Sequence, residues 1–229
     1  MKHKNQWTVY FLYVGLFFLL NIINTYWLTI QELNRYIAPF RHTLKGEFNA
    51  FLGNFSILFL IVLFGFIFIK KAKGRMTYLL TLTFFLNLFI FALGIFNMFF
   101  GTSFSIQAST IFRNPADGFA LGTFFTALLE LFTYYRIVVF LPFFSLLTLF
   151  LLADRKTLKT MMFKVTFKKY LASILLVTST LFITILSYYD YYRDTLPLNA
   201  VKSTFAIQNL GVYPYYLGEI LGQPFDLDL

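Results

Sequence analysis

The chain contains no cysteine. Disulfides, thiol nucleophiles and cysteine-ligated metals are therefore excluded. Histidine is almost as scarce: His3 and His42 are the two present, and neither falls in an apolar run. Charge is thin as well, at 13% of residues. No HExxH, GxSxG or P-loop pattern occurs, and the acids are too scattered to suggest a metal cluster. A proton-coupled carrier needs charge inside the membrane, and only Arg136, with Glu130 near the boundary, offers any. The repeated halves common in transporters are missing too. What remains is a platform rather than a complete active site.

Hydrophobic residues make up 59% of the 229. They gather in five runs, at about 7–30, 50–69, 77–100, 133–153 and 170–189. Each is long enough to cross a hydrocarbon core of ~30 Å, which takes about 20 helical residues. The expected fold class is all-α: a polytopic membrane protein with five transmembrane helices, plus short interfacial amphipathic helices on the outer face. The expected division is a five-helix membrane domain over 1–190, then an extracellular juxtamembrane helix and the start of a linker over 191–229.

The net charge of +9 informs through its placement. Lys2 and Lys4 precede the first run, Lys70, Lys71, Lys73 and Arg75 follow the second, and Arg155, Lys156, Lys159, Lys164, Lys168 and Lys169 follow the fourth. These are 12 of the 19 basic residues, accompanied by a single acid, Asp154. The positive-inside rule then puts the N-terminus in the cytoplasm and the C-terminus outside. A nucleic-acid partner is not expected, because the basic residues flank span ends, where anionic lipid attracts them, and no nucleic-acid-binding motif accompanies them. Span one is too long for a signal-peptide core and ends in Thr25-Tyr26-Trp27 rather than a small-residue cleavage site, so it reads as retained. The composition fits a bacterial plasma membrane.

Several polar residues stand out against this background. Asn21 and Asn24 share a helix face and read either as helix–helix hydrogen bonding or as lining for a headgroup pocket. Span two is nearly featureless apart from Asn54 and Ser56. Phe104, Ala108, Ile111 and Phe112 follow helical spacing, with Ser103, Gln107, Thr110 and Asn114 opposite, which predicts a short amphipathic helix stopped by Pro115. Segment 118–132 reads as interfacial, re-entrant or part of span four. Arg136 either snorkels to the interface or turns inward to an anion. Met161-Met162-Phe163 interleaves with lysines and predicts a surface-lying segment. Leu198 to Leu210 reads as a short helix with Gly211 as its C-cap.

The order of short motifs resembles the N-terminal membrane domain of lipoteichoic acid synthase and related phosphoglycerol transferases. The matching features are Asn24-Thr25-Tyr26, Phe96-Asn97-Met98-Phe99-Phe100, Thr102-Ser103-Phe104-Ser105 before Arg113-Asn114, and, after span five, Ser203-Thr204-Phe205 and Asn209-Leu210-Gly211-Val212-Tyr213. In that family five spans precede an extracellular catalytic domain of the alkaline-phosphatase/sulfatase type. The family's nucleophilic threonine and manganese ligands belong to that domain, so no residue here inherits those roles and no cofactor is expected in this chain. The resemblance implies a non-catalytic portion of a phosphoglycerol transferase. It would anchor the catalytic domain, in cis or in trans, and hold phosphatidylglycerol or a glycerol-phosphate lipid at the outer leaflet. Arginine forks and amide donors suit a phosphate, so the expected headgroup residues are Arg136, Arg113, Arg41, Asn97 and Asn24. The alternative is a free-standing scaffold that docks a separate extracytoplasmic partner.

Overall fold

In hydrocarbon no water is available to bond backbone N–H and C=O groups, so a long apolar run satisfies them by coiling into a helix. The computed structural model describes residues 2–36, 44–100, 138–153, 158, 161–163, 167–192, 207 and 209–220. Its helices are α1 (Lys2–Tyr36), α2 (Leu44–Phe68), α3 (Ala72–Phe100), α4 (Leu141–Leu152), α5 (Phe167–Tyr192) and α6 (Val212–Ile220), with a 3₁₀ turn at Val138–Phe140. Among the described residues there is no strand, only an isolated bridge between Lys71 and Met162.

Three of these helices carry an apolar stretch long enough to cross a membrane: Trp7–Tyr26, Glu47–Phe68 and Ala72–Ile95, of 20, 22 and 24 residues. At 1.5 Å per residue they span ~30–36 Å. The chain is thus all-helical where described, and its long helices suit a membrane. The fourth run, expected over 133–153, is described from Val138 onward. Residues 133–137 lie outside the described set, and Val138–Leu152 alone falls short of a ~30 Å core. Pro142 sits in the first turn of α4, where a missing N–H costs no helical hydrogen bond. The outer loop expected over 31–49 is helical at both ends, since α1 runs on to Tyr36 and α2 starts at Leu44.

Side-chain pairings set the helix directions. Tyr13 meets Met76, Asn21 meets Thr83 and Asn24 meets Asn87, so α1 and α3 ascend together. Ser56 meets Thr180 and Phe66 meets Tyr170, so α5 runs against α2. Phe91 meets Phe140 and Phe84 meets Phe143, so α4 runs against α3. The five helices therefore alternate in direction. α1, α3 and α4 pack on one another, α2 joins α1, and α5 leans on α2. The outward faces stay apolar, with Phe11, Phe64, Phe85, Leu176 and Phe182 all exposed.

The lysine-bearing ends meet at one end of this bundle. Ala72 N–H donates to Met161 O at 3.0 Å, and Phe163 N–H donates to Lys70 O at 2.9 Å. This corrects the surface-lying segment expected around Met161: Leu158 and Met161 are buried and only Met162 is exposed. The physical reason is the pair of backbone bonds, which pull the segment onto the α2–α3 turn. Arg75, grouped in the sequence with its neighbouring lysines, turns inward and is 4% exposed. Its Nε donates to Ile69 O at 2.7 Å, and its Nη2 donates to Phe66 O at 3.0 Å and to the Tyr170 hydroxyl at 2.8 Å. Its guanidinium carbon lies 4.4 Å from the Phe66 ring centre and 4.2 Å from that of Phe163. Trp7 and Tyr10 of α1 close over Phe163.

Candidate functional site

The opposite half of the bundle holds a buried polar seam. α1 contributes Asn21, Asn24 and Thr25, all buried. Helical spacing puts them on one side of α1, where they meet Thr83 and Asn87 of α3 and Asn54 of α2. Asn21 Nδ2 donates to Thr83 Oγ1 at 3.2 Å and to Phe17 O at 2.8 Å. Asn24 Nδ2 donates to Asn87 Oδ1 at 3.1 Å and to Val139 O at 3.0 Å. One amide thus ties α1 to α3 and to the turn that opens α4.

Next to Asn24 the seam turns toward α2 and the tail. Thr25 Oγ1 donates to Ile22 O at 2.7 Å and accepts from Asn54 Nδ2 at 3.1 Å. Asn54 Oδ1 in turn accepts the Tyr213 N–H at 3.1 Å. Tyr213 is in the first turn of α6, whose N–H groups have no helical partner. Asn54 therefore caps α6 from another helix.

Glycine sets how closely the tail can sit. Gly211 has φ +101°, the left-handed region that ends helices. Its N–H donates to Ile207 O at 3.0 Å, and its carbonyl accepts from Tyr215 N–H at 3.2 Å. This agrees with the expected C-cap, while 198–206 lies outside the described residues. Gly53 meets the Leu210 carbonyl oxygen so closely that a Cβ there would collide with it, and the same Cβ would come within 2.9 Å of Pro214 Cγ. Gly53→Ala is therefore expected to lift the tail and cost about 1–3 kcal/mol. Thermal unfolding in detergent checks the cost, and labelling of a cysteine placed in α6 checks the lift.

The tail folds back onto the bundle. Residues 212–216 fall in the stretch 191–229, expected to hold a juxtamembrane helix and the start of a linker; they open α6, and Val212, Tyr213, Tyr215 and Tyr216 are all buried. Four large side chains rolled onto α2 and α3 bury enough apolar surface to hold a nine-residue helix that could not stand alone. Tyr216 meets Phe89 edge-on at 5.2 Å. Burial pushes the Tyr213 phenol above the ordinary tyrosine range, so it stays neutral.

The seam carries no formal charge. It can orient helices and accept or donate hydrogen bonds, but it supplies no acid, base or nucleophile. Asn21 Oδ1, Asn87 Nδ2 and the Tyr213 hydroxyl have no hydrogen-bond partner among the described residues. No group of three His, Cys, Asp or Glu side chains that could hold a metal occurs among the described residues.

Of the expected headgroup residues, Asn24 sits in this seam with its amide donating within the bundle. Asn97 lies on α3, but its side chain is outside the described set. Arg41, Arg113 and Arg136 lie outside the described residues altogether, as does the expected amphipathic helix over 103–114. Sequence reasoning missed Thr83, Asn87, Tyr213 and Arg75. The signal for the first two was present: polar residues four apart in an apolar helix call for partners at the same depth. Compared with known proteins, the chain matches no protein-family model, no curated protein and no solved structure.

Proposed function

We propose that this chain is the membrane domain of a phosphoglycerol transferase of the lipoteichoic-acid-synthase kind. Five helices cross the bilayer, the lysine-bearing end faces the cytoplasm, and the C-terminus lies outside. The domain anchors an extracellular catalytic domain and holds phosphatidylglycerol or a glycerol-phosphate lipid at the outer leaflet. The observation that supports this most is the clamp on the tail. α6 is capped by Asn54, seated on Gly53 and turned by Gly211. A helix clamped in this way is suited to carrying something in a fixed pose. The alternating directions of α1 to α5 and the single-sided lysines fit the same topology.

Within this reading the headgroup is met by Arg136, Arg113 and Arg41. Arg136 lies three residues before Val139, whose carbonyl Asn24 holds. Val139 itself is held to α1 by that bond. Arg136→Ala is expected to weaken phosphatidylglycerol binding about tenfold or more, the loss of one charge-assisted fork. Lipid titration of the purified chain measures it, and unchanged affinity would remove Arg136 from the site. Labelling a cysteine at position 229 from outside intact cells tests the topology, and protection there would overturn it.

A second reading, a scaffold for a separate extracytoplasmic partner, draws on one observation. Leu217 and Ile220, three residues apart on α6, are both exposed while the rest of the helix is largely buried. A reading frame that continues past codon 229 into a phosphatase-like domain favours the first proposal, and a stop codon there favours the second.

A further inference from the structure

The sequence spaces the turn lysines and the α5 lysines almost a hundred residues apart, but the fold brings them together. Lys70 and Lys71 stand in the α2–α3 turn, and Lys168 and Lys169 stand at the foot of α5, all four exposed. Tyr170, next to Lys169, donates to Phe66 O at 2.9 Å, and Arg75 reaches both Phe66 O and the Tyr170 hydroxyl. Phe66 is four residues from Lys70. The ends of α2 and α5 that carry the two lysine pairs are therefore joined through one buried guanidinium.

None of these four ammonium groups has an acidic partner among the described residues. Large apolar side chains flank them and are exposed: Phe68 beside Lys70, Met162 bridged to Lys71, and Leu171 beside Lys169. Cations over an apolar skirt at the end of membrane helices suit a phosphate group that carries acyl chains. A soluble phosphate would gain nothing from the skirt.

We propose that the lysine-bearing end forms one composite site for the headgroup of an anionic phospholipid, bridged by the turn pair and the α5 pair. It is a second lipid site, at the bundle end opposite the tail, and it stands independently of the transferase reading. A lysine near a membrane surface contributes about a fivefold gain in attraction for anionic lipid, so a pair contributes roughly 10–30-fold.

The test is a double-variant cycle on the full chain in phosphatidylcholine nanodiscs doped with phosphatidylglycerol, read by native mass spectrometry of retained lipid. The variants are K70Q/K71Q, K168Q/K169Q and all four together. These positions are exposed, and each variant's fold is checked by its melting curve. With one shared headgroup, either pair lowers phosphatidylglycerol retention ~10-fold or more and the quadruple variant falls little further. If the two losses multiply, the lysines act as a diffuse field and the proposal fails. It fails equally if no variant changes retention, or if millimolar inorganic phosphate displaces the lipid.

Discussion

Arg75→Ala is expected to lower the stability of the bundle by roughly 2–4 kcal/mol, from a buried acceptor left without its donor and the lost ring contacts. The guanidinium satisfies two carbonyls and the Tyr170 hydroxyl at once. Hydrogen bonds from a charged donor contribute about 1.5–3 kcal/mol each before losses are shared. The rings of Phe66 and Phe163 add a cation–π sandwich of about 0.5–2 kcal/mol. Removing it strands the Ile69 carbonyl and opens a gap beneath Phe163. Arg75→Lys keeps the charge but not the planar fork, so it should recover less than half of the loss. Thermal unfolding in detergent ranks the three proteins. Protease cutting near Met161 should rise in the same order, and equal cutting would show that Arg75 does not hold that segment.

Asn54→Leu is expected to cost about 2–4 kcal/mol and to release the tail. A buried N–H without an acceptor costs about 1–3 kcal/mol, and Tyr213 would carry one. The lost bond to Thr25 adds less, because hydrogen bonds between membrane helices average ~0.6 kcal/mol. Thr25→Val separates the two effects. It removes only the Thr25 end of the chain, so the tail should stay docked at a cost of ~0.6–1.7 kcal/mol. A spin label or cysteine in α6 reads docking directly. A tail that stays put in Asn54→Leu would show that apolar burial alone holds it.

The sequence made the long helices legible because twenty apolar residues in a row admit few other structures. It also placed the lysines on one side. Their direct contacts were not legible. Arg75 looks like Lys73 in a one-dimensional charge count, and only the folded turn separates them, since a planar guanidinium offers five fixed donors and stacks on rings where an ammonium is a compact, strongly hydrated point charge. The docking of the tail was not legible for a related reason. Val212-Tyr213-Pro214-Tyr215-Tyr216 has a proline and no helical apolar period of its own, so nothing in it points to a helix packed on α2. Its helix depends on Asn54, more than 150 residues earlier. Asn24 was readable as a helix–helix contact, but its partners Asn87 and Val139 were not, because pairing between separate helices leaves no local trace.

The place of α2 has a consequence for how the chain is made. Helices leave the ribosome in order, and α2 ends at Phe68 while its main partner α5 ends at Tyr192. At ~5–20 residues per second, that partner arrives roughly 6–25 s later. Through that interval Ser56 has no Thr180 to meet and Gly53 has no tail above it. The nascent bundle thus waits with Ser56 lacking its later partner and with the Asn54 amide oxygen not yet capping α6.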